Sequence, residues 1–105
     1  MRAFAALLLL AGCATAPDPL NEAELGVYPD ARGMPADVQD FILRHTDCSH
    51  WLGEPEWDAE RRRQIEQAIV RSCFGVDAYG RRVRARYSGN AEVMARLREY
   101  EPLGQ

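Results

Sequence analysis

Apolar residues run unbroken from Ala3 to Ala11, lose any pattern over residues 14–35, and then recur at helical spacing almost to the end of the chain. The spacing predicts a first helix starting near Pro35. Its missing N–H costs nothing in a first turn, where that group has no partner. Val38, Phe41, Ile42 and His45 then fall at i, i+3, i+4 and i+7, which is one helical face. Asp37 and Asp40 sit in the first turns, where the helix dipole favours negative charge. Thr46 to Gly53 breaks the pattern, so Asp47-Cys48-Ser49-His50-Trp51-Leu52-Gly53-Glu54 is expected to join two helices.

The second helix is expected from about Asp58, a residue suited to N-capping, to Ser72 or Cys73. Ile65, Ile69, Ser72 and Cys73 make its inner face, with Ala68 beside them. Gly75 suits the left-handed position that follows a helix. A third helix covers about Val76 to Tyr87, with Val76, Tyr79, Val83 and Tyr87 on one face. Gly80 interrupts it, at a propensity cost of about 1 kcal/mol. Asn90 caps a fourth helix running to about Glu101, with Val93, Met94, Leu97 and Tyr100 inward, and Pro102 ends it. No stretch alternates as a β-strand does, and no repeat is present.

Residues 14–35 read as a tether. Pro17, Pro19, Pro29 and Pro35 recur there, with Gly26 and Gly33 as further breaks. A flexible chain of about 20 residues has an r.m.s. span of roughly 25 Å, enough to hold a domain clear of lipid headgroups. Leu25, Val27 and Tyr28 are unusual for a pure linker and are candidates for packing on the domain.

With 105 residues the chain has room for one domain. Below roughly 70–80 residues a single core rarely supplies more than about 3–5 kcal/mol, so a covalent staple is useful. The formal charge is −3, and every basic residue is Arg. This acidic balance argues against general nucleic-acid binding, which needs basic surface.

Met1-Arg2 followed by the nine-residue apolar run resembles a secretory signal peptide. The run is too short to span a bilayer, which takes about 20 residues. It ends in Leu10-Ala11-Gly12-Cys13, which resembles the lipobox of bacterial lipoproteins and stands where a lipobox must stand. The resemblance implies that Cys13 is diacylglycerol-modified on sulfur, that the chain is cut before it, and that the new amino terminus is acylated. Several acyl chains on one residue give stable anchoring where one gives marginal binding. Ala14 after the cysteine points to the outer membrane, since Asp there favours inner-membrane retention in enteric-type lipoproteins.

With Cys13 lipidated, Cys48 and Cys73 remain as a pair in an oxidising compartment. We read them as a disulfide, whose loop of about 25 residues would stabilise the fold by roughly 3 kcal/mol. The alternative is a metal site built from His45, Cys48, His50 and Cys73, donors that zinc or copper accepts. The His-x-x-Cys-x-His spacing is not that of a zinc finger, and His45 serves more simply as the polar end of an apolar face. No Cys-x-x-Cys redox pair is present.

Trp51 and Trp57 flank Glu54 in one short stretch. They could form a surface for a glycan or peptide, since Trp is enriched at binding hot spots. The simpler expectation is that Trp51 plugs the core beneath the disulfide and Trp57 staples the second helix. Glu54 is expected to pair with an arginine from Arg61-Arg62-Arg63, and a glycosidase-like carboxylate pair is disfavoured in so small a chain. Arg81, Arg82, Arg84 and Arg86 form one basic cluster, read mostly as solvated surface, with contact to anionic envelope polymers as the functional reading. No nucleophile–base triad or phosphate loop is visible.

The order Cys48-x-His50-Trp51-x-Gly53-Glu54, Glu60-Arg61-Arg62, Cys73, Asp77, Arg84-x-Arg86-Tyr87 resembles small proteins of Gram-negative bacteria to which no activity attaches. It covers roughly residues 38–100 and supports a fold unit only. A more distant likeness is to lysozyme-inhibitor-like periplasmic proteins, which are also small, helical and cysteine-paired.

Together these observations predict a lipoprotein signal peptide at 1–12, a lipid-attached tether at 13–34 and an all-α domain at 35–105. That domain is a small bundle of three or four short helices pinned by one disulfide. The expected role is non-enzymatic, in the cell envelope. The membrane is engaged through Cys13, with an envelope protein or peptidoglycan as partner, no nucleic acid and no cofactor. His50, Trp51 and Glu54 are the candidate binding surface. A lysozyme-inhibitor-like role and a metal-binding role are the alternatives.

Overall fold

The computed structural model describes residues 16–105. They form an all-α bundle with no strand among the described residues: α1 (Glu22–Val27), a 3-10 turn (Pro29–Ala31), α2 (Ala36–Leu52), α3 (Ala59–Cys73), α4 (Val76–Arg86) and α5 (Ala91–Leu97). The four expected helices are α2 to α5, and the Cys48–Cys73 disulfide joins α2 to α3.

Helix α2 is the centre, with α3, α4 and the 3-10 turn packed around it. Its inward residues Val38, Phe41, Ile42, His45 and Cys48 are all buried. The last of these corrects the expected break at Thr46. Cys48 lies three residues beyond His45 and continues the same face, so the helix runs on to Leu52. Thr46, Ser49 and His50 interrupt the apolar pattern only because they point to solvent. The stretch expected to join two helices is therefore mostly the end of one. That is how Cys48 reaches the buried Cys73 at the close of α3.

The tether expectation is also corrected. From Leu20 onward the chain is folded onto the bundle. Asn21 and Glu24 form a capping box that starts α1, each side chain accepting the other's backbone N–H. Leu25, Ala31 and Met34 are buried in the common core. Gln39, a buried polar residue of α2, holds this segment at two points. Its Oε1 accepts from the Leu20 N–H at 2.8 Å, and its Nε2 donates to the Ala31 carbonyl at 3.1 Å. Both ends of a buried amide are thus satisfied, as burial requires. Tyr28 packs against the core, whereas Val27 is exposed.

Gly75 has φ +69° and turns the chain from α3 into α4, the left-handed position its lack of Cβ permits. Gly80 has a different purpose from the weak helix-breaker expected. A Cβ there would lie 3.0 Å from two ring atoms of Phe41, so its absence lets α4 close on α2. Helix α5 ends at Leu97 rather than Glu101.

Candidate functional site

Cys13 lies outside the described residues. The three residues expected to form a surface, His50, Trp51 and Glu54, are brought together at the C-terminal end of α2. His50 Nε2 lies 3.0 Å from Glu54 Oε1, and its ring meets Trp51 edge-on at 5.2 Å. The second Glu54 oxygen, Oε2, accepts from Arg61 Nη2 at 2.8 Å. The expected pairing with the Arg61–Arg63 run thus falls to Arg61.

Arg61 is the residue that organises this surface. It is the third residue of α3, after the N-cap Asp58, whose side chain accepts the Arg61 N–H at 2.7 Å. That places its guanidinium 5.5 Å from the Trp51 ring centre and 4.8 Å from that of Trp57. A cation over two indole faces is an attractive arrangement. Trp51 is therefore half-buried under Arg61 and stands apart from the core cluster, in place of the core plug expected. Trp57 does brace the start of α3, but through Arg61 and with 68% of its surface still open. Arg62 pairs with Glu56 at 3.0 Å beside it.

The four donors of the metal alternative do not converge. The Cys48 and Cys73 sulfurs are bonded to each other, so neither is a thiolate ligand. The His45 ring packs edge-on against Phe41 and Tyr100, and its Nε2–H donates to the Glu101 carbonyl at 2.7 Å. His50 is engaged with Glu54. Among the described residues no three His, Cys, Asp or Glu side chains are grouped as a metal would need.

The remaining residues of the Cys48-to-Tyr87 pattern are polar cross-links. Asp77, in the first turn of α4, accepts the backbone N–H groups of Leu103, Gly104 and Gln105, each at 2.8 Å. Burial pushes its carboxyl up, but these three bonds outweigh it and hold the group below the usual carboxylate range. Arg84 donates to the carbonyl oxygens of Leu97 and Tyr100. It thereby satisfies the free carbonyl groups at the end of α5. Asp37 accepts from Tyr87 Oη at 2.7 Å and from Arg86 Nη1 at 3.3 Å, while its backbone carbonyl accepts from Tyr79 Oη at 3.1 Å.

Of the four arginines expected on the solvated surface, Arg84 is instead half-buried and bound to the end of α5. The signal available was its spacing: it lies four residues after Gly80, over the gap that a glycine leaves. Comparison with family models, with curated proteins and with solved structures returns no match for this chain.

Proposed function

We propose that the protein is a cell-envelope lipoprotein, anchored in the membrane through acylated Cys13, whose helical body serves in binding or scaffolding and not in catalysis. The observation that carries this reading is the Cys48–Cys73 disulfide standing downstream of Leu10-Ala11-Gly12-Cys13. A disulfide between buried residues belongs to a protein that matures in an oxidising compartment. None of the described helices is long and apolar enough to cross a membrane. The outer membrane is the proposed destination, on the strength of Ala14.

The contact surface we assign is His50, Trp51 and Glu54, widened by Trp57 and Arg61. An exposed indole beside a fixed guanidinium and carboxylates offers a flat apolar face rimmed by donors and acceptors, the composition of a binding hot spot. An envelope protein or peptidoglycan is the partner proposed. A non-catalytic role is supported by the commitments of the candidate groups, since Glu54 is held by His50 and Arg61.

The test is fractionation with intact mass. The mature protein should carry acyl mass on Cys13, remain with the membrane fraction, and be two hydrogens lighter than the reduced chain. Cys13→Ser should move the protein to the soluble periplasmic fraction. Membrane association that survives Cys13→Ser would overturn the anchor. Trp57→Ala should weaken sedimentation with peptidoglycan or capture of an envelope protein without altering the fold.

A further inference from the structure

The chain enters the fold at a place that acquires meaning if Cys13 is the anchor. Ala16 and Pro17 line a depression with Asp37, Tyr79, Arg82 and Arg86. Only three residue steps separate Cys13 from Ala16, and an extended chain covers at most about 11 Å in that distance. Residues 20–34 add nothing to that reach, because they are spent on packing. An acylated Cys13 would therefore keep this depression within about 11 Å of the bilayer surface.

The surface presented there has a definite chemistry. Arg82 lies 5.2 Å from the Tyr79 ring centre and Arg44 lies 5.5 Å from the centre of the same ring. Arg86 follows Arg82 by one turn of α4. Arg44 and Arg86 each have a carboxylate, from Asp40 and Asp37, both at 3.3 Å. Arg82 forms no ion pair among the described residues. Guanidinium groups are suited to phosphate, which they bind with paired donors. The chain as a whole is acidic, but this face, with Arg44 and Arg86 paired and Arg82 not, keeps a net positive charge that a phosphate-bearing surface attracts. Arg44, at the middle of α2, borders this face, and the rise from it to Trp51 at the end of α2 is about 10 Å.

We infer that the lipid-anchored protein rests the Arg82–Arg86 face of α4 on phospholipid headgroups, with a phosphate on the Arg82 guanidinium, and leaves the Trp51–Arg61–Trp57 surface at the C-terminal end of α2 outside that contact. This rests on the anchor proposed above. The tryptophan surface is then left open to partners.

The two native tryptophans make the orientation measurable, since both stand in the Trp51–Arg61–Trp57 surface. The full lipidated protein is reconstituted in vesicles of phosphatidylethanolamine and phosphatidylglycerol that contain a headgroup-nitroxide phospholipid. The native emission should fall less with the nitroxide than that of a tryptophan placed on the arginine face. Ala85 is exposed on α4 between Arg82 and Arg86, so the extra emission of an Ala85→Trp variant should be lost. Adding Arg82→Glu to that variant should restore part of it, since the Cys13 leash remains, with the helical signal and the disulfide intact.

Intact mass keeps the two readings apart. A protein with no acyl mass overturns the anchor and this inference together. An acylated protein overturns this inference alone if Trp51 and Trp57 are quenched as strongly as the added tryptophan. So does an acylated protein whose Ala85→Trp emission persists. Quenching undiminished by Arg82→Glu overturns the phosphate contact.

Discussion

The Tyr28 hydroxyl donates to Asp47 Oδ1 at 2.6 Å, and this bond ties the segment before α2 to the last third of that helix. Burial and then the Asp47 carboxylate push the phenol up to about 12. A hydrogen bond to a charged acceptor contributes about 1.5–3 kcal/mol. Tyr28→Phe should therefore lower unfolding stability by about 1.5 kcal/mol, at the low end because the pair is only part-buried. Leu25→Ala, which empties a buried site, should cost about 2 kcal/mol. Urea unfolding reads both. Unchanged midpoints would mean that residues 20–34 are a tether after all.

The disulfide closes a loop of 25 residues. Cross-linking that loop restricts the unfolded chain, which the chain-entropy model values at about 3 kcal/mol. Reduction, or the double change Cys48→Ser with Cys73→Ser, should lower the unfolding free energy by that amount, read from the shift in denaturant midpoint. Because each cysteine is buried beside the common core, a single change should cost more than half of the double one. Equal stability with and without reductant would show that the bond adds nothing to the fold.

The helices were legible because their cores are periodic. Val38, Phe41, Ile42 and His45 mark α2 by spacing alone, and Asp58 and Asn90 cap their helices as their side chains suggest. What escaped is non-local. Asn21 and Glu24 spell a capping box, but prolines on both sides hid it. Arg84 looked like one more surface arginine because its acceptors, Leu97 and Tyr100, lie 13 and 16 residues away. The Trp51–Arg61–Trp57 stack likewise needs the turn between α2 and α3 to fold first. Periodicity reports which face is inward and says nothing of which polar atom meets which.

Gly80 gives the sharpest contrast between local and tertiary reasoning. By helix propensity alone, Gly80→Ala should stabilise α4 by about 1 kcal/mol. Tertiary structure reverses the sign. The new methyl would press on two Phe41 ring atoms at 3.0 Å and on Arg84 Nη1 at 2.8 Å. Phe41 is a fully buried ring and has little room to yield. Overpacking of this kind costs about 1–3 kcal/mol, so the net change should be destabilising. Thermal unfolding of Gly80→Ala checks it. A higher melting temperature would mean that α4 stands further from α2 than the structure places it.

All four tyrosines donate their hydroxyls to acceptors on other elements: Tyr28 to Asp47, Tyr79 to the Asp37 carbonyl, Tyr87 to Asp37 and Tyr100 to Asp30. Each phenol is raised above its ordinary value. Burial leads for Tyr28, Tyr79 and Tyr100, and the hydrogen bond to Asp37 leads for Tyr87. A raised folded-state value means the unfolded chain loses these protons first, near pH 10. The stability they contribute is thus complete below about pH 10 and is lost as pH rises from there toward the folded values. Tyrosinate absorbance should consequently stay low past pH 10 and then appear together with loss of the helical signal. Tyr28→Phe should shorten that alkaline plateau, since one raised phenol is gone. Four phenols titrating near pH 10 while the helices persist would show that these bonds do not hold the fold.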